Sequence, residues 1–393
     1  MNDGRRIYLD HAATSPLKSE VLDVMMPYLT ENFGNPSAEF YKEGRDAKIA
    51  VETAREHVAQ AIGASVKEIY FTASGTESDN WAICGFARLN KHKGNHIITC
   101  SIEHHAVLHP CQQLEKEGFS VTYLKPDKFG RVSPNDIAAA INEQTILISI
   151  MFANNEIGTI QPIAEIGAIA RARNIAFHTD AVQAIDTIPI DVDKLGVDTL
   201  SLSAHKFGGP KGVGALYIRS GTNAGSIMFG GAQERGRRAG TENVAGIVGL
   251  GAAIEIAAEN AATKADKLKI LRDKLIDRVL AEIPEVILNG HPTERLAGNT
   301  NFCFRYIEGE GLLLMLDMKG IAASSGSACT SGSLDPSHVL LGIGLEHEIA
   351  HGSLRLSLGE ETTPQDIDYT VEVLKETVER LRLMSPLYNK GEI

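Results

Sequence analysis

The chain has 393 residues, 43% hydrophobic and 22% charged, with 38 basic and 50 acidic side chains for a net charge of −12. This balance fits a globular protein large enough for two domains and excludes a disordered or fibrous chain. With no dense basic run and no basic patch interleaved with aromatics, it speaks against direct binding of nucleic acid or an anionic membrane.

Charge arrives early, at Asp3, Arg5 and Arg6. No apolar leader precedes it and no apolar run approaches membrane-spanning length, so the cytoplasm is the expected location. Further on, Ser15-Pro16 reads as a helix N-cap followed by its first residue. Ala47, Ala50, Val51, Ala54, Val58, Ala61 and Ile62 recur at helical spacing until Gly63 ends the pattern. Residues 68–72 predict a strand, residues 73–75 a turn, and Thr76-Glu77 the start of a helix. Further strands are predicted over 96–99, 121–124, 145–150, 175–178, 199–203 and 214–218, mostly separated by helices. Such alternation is the signature of an α/β chain with a mainly parallel sheet. A long helical stretch over 244–282 carries the chain into a second, smaller unit, which ends in a helix from about Thr363-Pro364 to Met384.

Chemistry concentrates in a few places. Ser203-Ala204-His205-Lys206 closes a predicted strand and precedes a Gly-rich segment, which positions the lysine for a Schiff base. Upstream, another apolar run ends in Asp180, with Gln183 three residues on. A lysine imine plus a carboxylate that keeps a pyridine nitrogen protonated is what pyridoxal phosphate requires. Ala73-Ser74-Gly75-Thr76-Glu77 is the candidate phosphate cradle: a strand passing through glycine into a helix start aims free N–H groups and the Thr76 hydroxyl at an anion. Ser203 and His205 can add donors. Neither a P-loop nor the three-glycine dinucleotide fingerprint is present.

Five cysteines (Cys84, Cys100, Cys111, Cys303, Cys329) form an odd set without a C-x-x-C pair, as expected of reduced thiols. Cys329 stands apart, in the loop Ser324-Ser325-Gly326-Ser327-Ala328-Cys329-Thr330-Ser331-Gly332, whereas the other four read as core residues. Two metal patterns compete. His347-Glu348-Ile349-Ala350-His351 matches the H-E-x-x-H of zinc hydrolases, but the glycine and strand-like run that follow leave little helix to present it. Cys100, His104, His105, His109 and Cys111 cluster in sequence but match no standard zinc spacing.

Taken together, Tyr8-Leu9-Asp10-His11-Ala12-Ala13-Thr14, Phe33-Gly34-Asn35-Pro36-Ser37, Gly75-Thr76-Glu77-Ser78-Asp79-Asn80, Glu103-His104, Asn154-Asn155-Glu156, the Asp180 and Lys206 segments, Glu234 to Thr241 and the Cys329 loop resemble the cysteine desulfurases. The loop is similar to that of the group that includes the nitrogen-fixation and housekeeping iron–sulfur assembly enzymes. The resemblance implies the fold type I architecture of aspartate aminotransferase, with a large, mainly parallel seven-stranded sheet domain (15–260) and a smaller α+β domain (1–14 plus 261–393) carrying the catalytic cysteine loop. It implies a homodimer that converts L-cysteine to L-alanine and passes the sulfur, held as a persulfide on Cys329, to an iron–sulfur scaffold or another thiolation acceptor. Lys206 would hold pyridoxal phosphate and shuttle protons. Asp180 would partner the ring nitrogen and Gln183 the ring hydroxyl, while His104 would stack on the ring and assist proton transfer. Asn155 and Arg355, with Asn35, would hold the substrate carboxylate. Thr241 would reach the phosphate of the neighbouring subunit. Phe40 stands where the family often has a histidine, and the tail after Ser385-Pro386-Leu387 is short for docking a scaffold. An aminotransferase, a kynureninase-like hydrolase and a selenocysteine lyase share the cofactor residues; the Cys329 loop favours the desulfurase.

Overall fold

The computed structural model describes residues 6–325 and 336–388. Cys329 and its immediate neighbours lie outside the described residues. Twelve strands occur within them: β1 (Ile7–Tyr8), β2 (Ile69–Thr72), β3 (His96–Cys100), β4 (Ser120–Leu124), β5 (Thr145–Ser149), β6 (Ala176–Asp180), β7 (Thr199–Ser203), β8 (Gly214–Ile218), β9 (Val286–Leu288), β10 (Asn299–Phe304), β11 (Ile321–Ala322) and β12 (Ser353–Ser357). Seven of them form one sheet in the order β2-β8-β7-β6-β5-β3-β4. Only β8 runs against the rest, pairing antiparallel with both β2 and β7. This is the mainly parallel seven-stranded sheet of the expected architecture. β2, β3, β5, β7 and β8 are buried at every position, as parallel strands covered on both faces require.

The helices follow their sequence signals with local exceptions. The helix Lys42–Ile62 ends where Gly63 takes φ 69°, a left-handed conformation that glycine adopts at little cost. The last helix, Pro364–Met384, opens on a capping box between Thr363 and Asp366, a device worth about 1 kcal/mol. Ser15-Pro16 does not start a helix; the first one runs from Ser19 to Thr30. The reason is that the Ser15 hydroxyl is engaged elsewhere, donating to His205 O (2.8 Å) and accepting from Gly208 N (2.8 Å). Downstream of β2 the helix opens at Gly75, one residue before Thr76, with Ser74 as its N-cap.

A 39-residue helix, Val244–Glu282, ties the molecule together. Ile247, Leu250, Ala253, Ile254 and Ala257 pack into the core around the large sheet. Leu268, Leu271, Leu275, Ile276 and Val279 pack into a second core with β10, β12 and the last helix. By length and composition this helix could cross a membrane, contrary to the sequence reading that no run approached that length, but 61% of its most apolar window is buried inside the protein. The second core rests on the three-stranded sheet β12-β10-β9, and the chain start reaches it through β1, which pairs with β11, and through a bridge from Asp10 to Ser357. A residue near the N-terminus and a strand near the C-terminus thus meet beside the large sheet.

Candidate active site

A cavity of about 370 Å³ lies at the carboxyl ends of the parallel strands, the usual ligand position in open α/β sheets. Asp180 ends β6 and Ser203 ends β7, and these neighbouring strands are paired in parallel, so the carboxylate and the lysine turn share one rim. Lys206 follows in a 3₁₀ turn, Ala204–Lys206. Its ammonium donates to Ala12 O (2.5 Å) and Ala13 O (2.8 Å), and Gln183 Nε2 donates to the same Ala12 carbonyl at 2.9 Å. His205 Nδ1 lies 3.2 Å from Thr14 Oγ1. The N-terminal segment 12–15 is therefore a strap across the lysine turn.

Asp180 accepts from Val182 N at 2.9 Å. Burial raises its pKa to about 6, against the opposing effects of the Val182 hydrogen bond and the Lys206 charge. Behind it, His178 shares hydrogen bonds with Ser149 Oγ (2.8 Å) and Ser201 Oγ (3.1 Å), and its Nε2 is 3.5 Å from Asp79 Oδ1. Burial pushes His178 down to about 3, so this imidazole is neutral at physiological pH. The His104 imidazole is likewise driven down to about 4 by burial first and the Lys206 charge second. It is the N-cap of the helix His105–Lys116, accepting from Ala106 N through Nδ1 at 3.1 Å.

The turn Ser74-Gly75-Thr76 forms the opposite wall of the cavity. Ser74 Oγ accepts from Glu77 N, and Glu77 returns the contact by accepting from Ala73 N at 2.8 Å. A Cβ on Gly75 would sit 2.7 Å from Val182 Cγ2, so the close approach of this turn to the β6 rim depends on glycine. First-turn N–H groups have no partner within a helix and suit an anion.

The second unit contributes Arg355 from β12. Its Nη1 donates to Asn155 O (3.0 Å), its Nη2 donates to Asp10 Oδ1 (2.8 Å), and its Nε is buried with no partner among the described residues. Asn155 is presented by a turn built on its buried neighbour: Asn154 accepts from Glu156 N (2.9 Å) and Ile157 N (3.0 Å) and donates to Ile102 O (2.9 Å). Glu156 accepts a short hydrogen bond from Ser337. Burial lifts its carboxyl to about 7, against the opposing effects of the Ser337 hydrogen bond and the Arg355 charge.

Of the residues expected from sequence, the structure gathers Gly75, Thr76, His104, Asn155, Asp180, Gln183, Ser203, His205, Lys206 and Arg355 around this one cavity. Asn35 and Thr241 are not in its lining. Asn35 sits on an exposed loop, where its side-chain oxygen accepts from Ser37 N at 2.9 Å, and Thr241 is exposed on another loop. Phe40 is fully exposed. Sequence reasoning missed Asp79, Met151 and the Ala12 and Ala13 carbonyls. Asp79 carried a usable signal: four residues after Gly75 on a helix, it shares that residue's face.

Neither metal pattern assembles. Cys100 and Cys111 are buried in different hydrophobic clusters, with burial raising both thiols well above the usual range. His347 and His351 face each other on a helix of only five residues. Among the described residues no three histidine, cysteine or acidic side chains are grouped to hold a metal ion.

The buried acid at the strand end, the lysine beside it, the glycine-dependent turn and the buried Arg355 Nε suit pyridoxal phosphate and an amino acid carboxylate. Comparison with known proteins agrees. Residues 7–370 match the family described as aminotransferase class-V. The chain is 60% identical over 388 residues to a protein named cysteine desulfurase IscS from Methanosarcina thermophila, covering 99% of this chain and 96% of that one. It is 48% identical over 383 residues to cysteine desulfurase IscS 1 of Archaeoglobus fulgidus, covering 98% of this chain and all of the other. A solved structure titled NifS-like protein superposes with a TM-score of 0.90 at 38% identity, covering 96% of this chain and 100% of that chain. The chain belongs to the pyridoxal-phosphate-dependent class-V aminotransferase family, within its group of cysteine desulfurases.

Proposed function

We propose that this protein converts L-cysteine to L-alanine and transfers the sulfur to Cys329 as a persulfide for delivery to an acceptor protein. The observation that carries this reading is the meeting of Lys206, Asp180 and His104 with the partly unpaired Arg355 guanidinium at one cavity. Pyridoxal phosphate supplies an electron sink for the bonds around the substrate's α-carbon. Lys206 is the residue for the aldehyde and for proton transfer, Asp180 for the ring nitrogen, and Gln183 for the ring hydroxyl. Gly75, Thr76, Ser203 and His205 surround the phosphate position. His104, neutral through burial, can accept a proton where a charged imidazole could not. Arg355 and Asn155 hold the substrate carboxylate, and the Cys329 thiolate attacks the substrate sulfur, so that an S–S bond forms as the sulfur's bond to the β-carbon breaks and the electron pair left on carbon takes up a proton on the way to alanine.

A homodimer is part of the reading. The helix Ser19–Thr30 buries only Val21 and Met25 within the protomer, leaving Leu22, Val24, Met26 and Leu29 exposed. Phe33 and Phe229 are exposed as well. A second copy would cover such apolar surface, and Asn35 and Thr241 would then have a site to serve. The acceptor is an iron–sulfur scaffold or another thiolation protein, in keeping with the IscS names of the relatives. The cytoplasm remains the proposed location; four buried, unpaired cysteines among the described residues fit a reducing compartment.

The test is to incubate the purified, cofactor-loaded protein with L-cysteine and quantify alanine and sulfide, with and without a thiol reductant. Equal amounts of both, with sulfide dependent on reductant, are expected. A change in cofactor colour without sulfide would overturn the desulfurase reading in favour of another enzyme on this fold.

A further inference from the structure

The substrate anchor carries its own counter-ion. Arg355 is 2% exposed, and one of its nitrogens is already taken by Asp10 Oδ1 at 2.8 Å. The Asp10 carboxylate is not needed to hold its strand. The backbone does that, through Ser357 N to Leu9 O (2.8 Å) and His11 N to Ser357 O (3.3 Å), and Ala12 N also donates to Ser357 Oγ at 2.9 Å. An acceptor for Nη2 could equally be an amide oxygen. What a carboxylate adds is a negative charge on the guanidinium; Asp10 is not itself in the cavity lining, which holds Arg355, Asp79 and Asp180.

Nη1 gives one hydrogen to Asn155 O and Nη2 one to Asp10, so what stays available among the described residues is a fork, the buried Nε–H together with the remaining Nη hydrogens. One incoming carboxylate satisfies it. With that carboxylate bound, the single positive charge of Arg355 faces two negative groups, so a second anionic group on the same ligand finds no positive charge left and is repelled by Asp10.

We propose that Asp10 is a specificity-determining residue: it positions Arg355 for a single carboxylate and excludes amino acids whose side chain bears a second negative charge. This rests on the reading of Arg355 as the anchor of an amino acid substrate. Like charges a few ångströms apart at a partly buried site repel strongly enough to change binding by at least about tenfold.

The experiment uses the cofactor-loaded full chain and a ligand pair of equal shape, L-asparagine and L-aspartate, each titrated through its effect on the cofactor's visible absorbance. The wild-type protein is expected to bind asparagine at least about tenfold more tightly than aspartate. Asp10→Asn keeps an oxygen for Nη2 but removes the charge, and is expected to bring that ratio to within about twofold, chiefly by tighter binding of aspartate. A purely structural role would weaken both ligands alike and leave the ratio unchanged, which would overturn the proposal. A wild-type ratio near one would overturn it too, without recourse to any variant. If L-cysteine, asparagine and aspartate all leave the absorbance of the loaded wild type unmoved, the reading of the cavity as an amino acid site falls and takes this proposal with it. A ratio of one in a wild type that responds to L-cysteine overturns the Asp10 role alone.

Discussion

Glu156 shows how much one buried side chain can report. Its carboxyl is lifted to about 7 chiefly by burial, so the folded protein keeps a proton there that an unfolded chain gives up near the ordinary glutamate value. A raised acid pKa stabilises the fold relative to an unshifted group at low pH, and that contribution drains away as pH rises from about 4.5 to about 7. Glu156→Gln has no proton to lose at this position and should lack the slope. Denaturant unfolding at pH 5 and pH 8 is expected to show the variant gaining on the wild type by roughly 3 kcal/mol between the two, with the gain confined to that window. An equal difference at both pH values would show that Glu156 is already ionised in the fold. The same residue illustrates a limit of sequence. Asn154-Asn155-Glu156 was legible as a motif, but that the carboxylate binds Ser337, on the far side of the Cys329 loop, depends on a contact across 181 residues.

At the scale of elements, the turn after β8 is held by a buried ion pair. Arg55 donates to both oxygens of Glu234 (2.7 and 2.9 Å), and Phe71 N of β2 donates to the same carboxylate at 2.9 Å. Glu234 and Arg235 both take positive φ, at 44° and 58°. Outside glycine such backbone needs firm support, which this network provides. Glu234→Ala leaves the buried Arg55 with only the half-exposed Glu52 (3.3 Å) as counter-ion and is expected to cost about 3 kcal/mol, read as a loss in thermal or urea stability. Glu234→Gln, which retains an oxygen for Phe71 N, should cost less. A neutral result for the alanine variant would mean that solvent reaches Arg55. Elements were well marked in the sequence wherever periodicity and capping agreed, as at Lys42–Ile62 and Pro364–Met384. They were misread where a side chain had a tertiary use. Ser15 has the composition of an N-cap, yet its hydroxyl is spent on the lysine turn.

At the scale of the whole molecule, two hydrophobic cores share one long helix, and the cavity draws on both. The large sheet brings the cofactor residues, and β12 brings the anchor. Two ion pairs join residues distant in sequence across this arrangement: Lys264 with Asp186 (2.7 Å) and Lys18 with Glu360 (2.7 Å). The sheet order could be anticipated as a class from alternating strands and helices. The closing of the chain upon itself could not, because hydrophobic patterns are local and say nothing of which distant segments meet.

The bridge from Asp10 to Ser357 has a consequence for biogenesis. Synthesis proceeds from the N-terminus, so residues 7–12 are made long before their partners in β11 and β12 exist, whereas the strap's partners in the lysine turn come earlier. Contacts of such sequence separation form late, after the large sheet has paid its loop-closure entropy. A nascent chain halted before β11 is thus expected to protect the sheet core from protease while residues 6–11 stay open to cleavage, and synthesis through β12 should close them. Assembly of the active site is in this sense a checkpoint, passed only once β11 and β12 have been made.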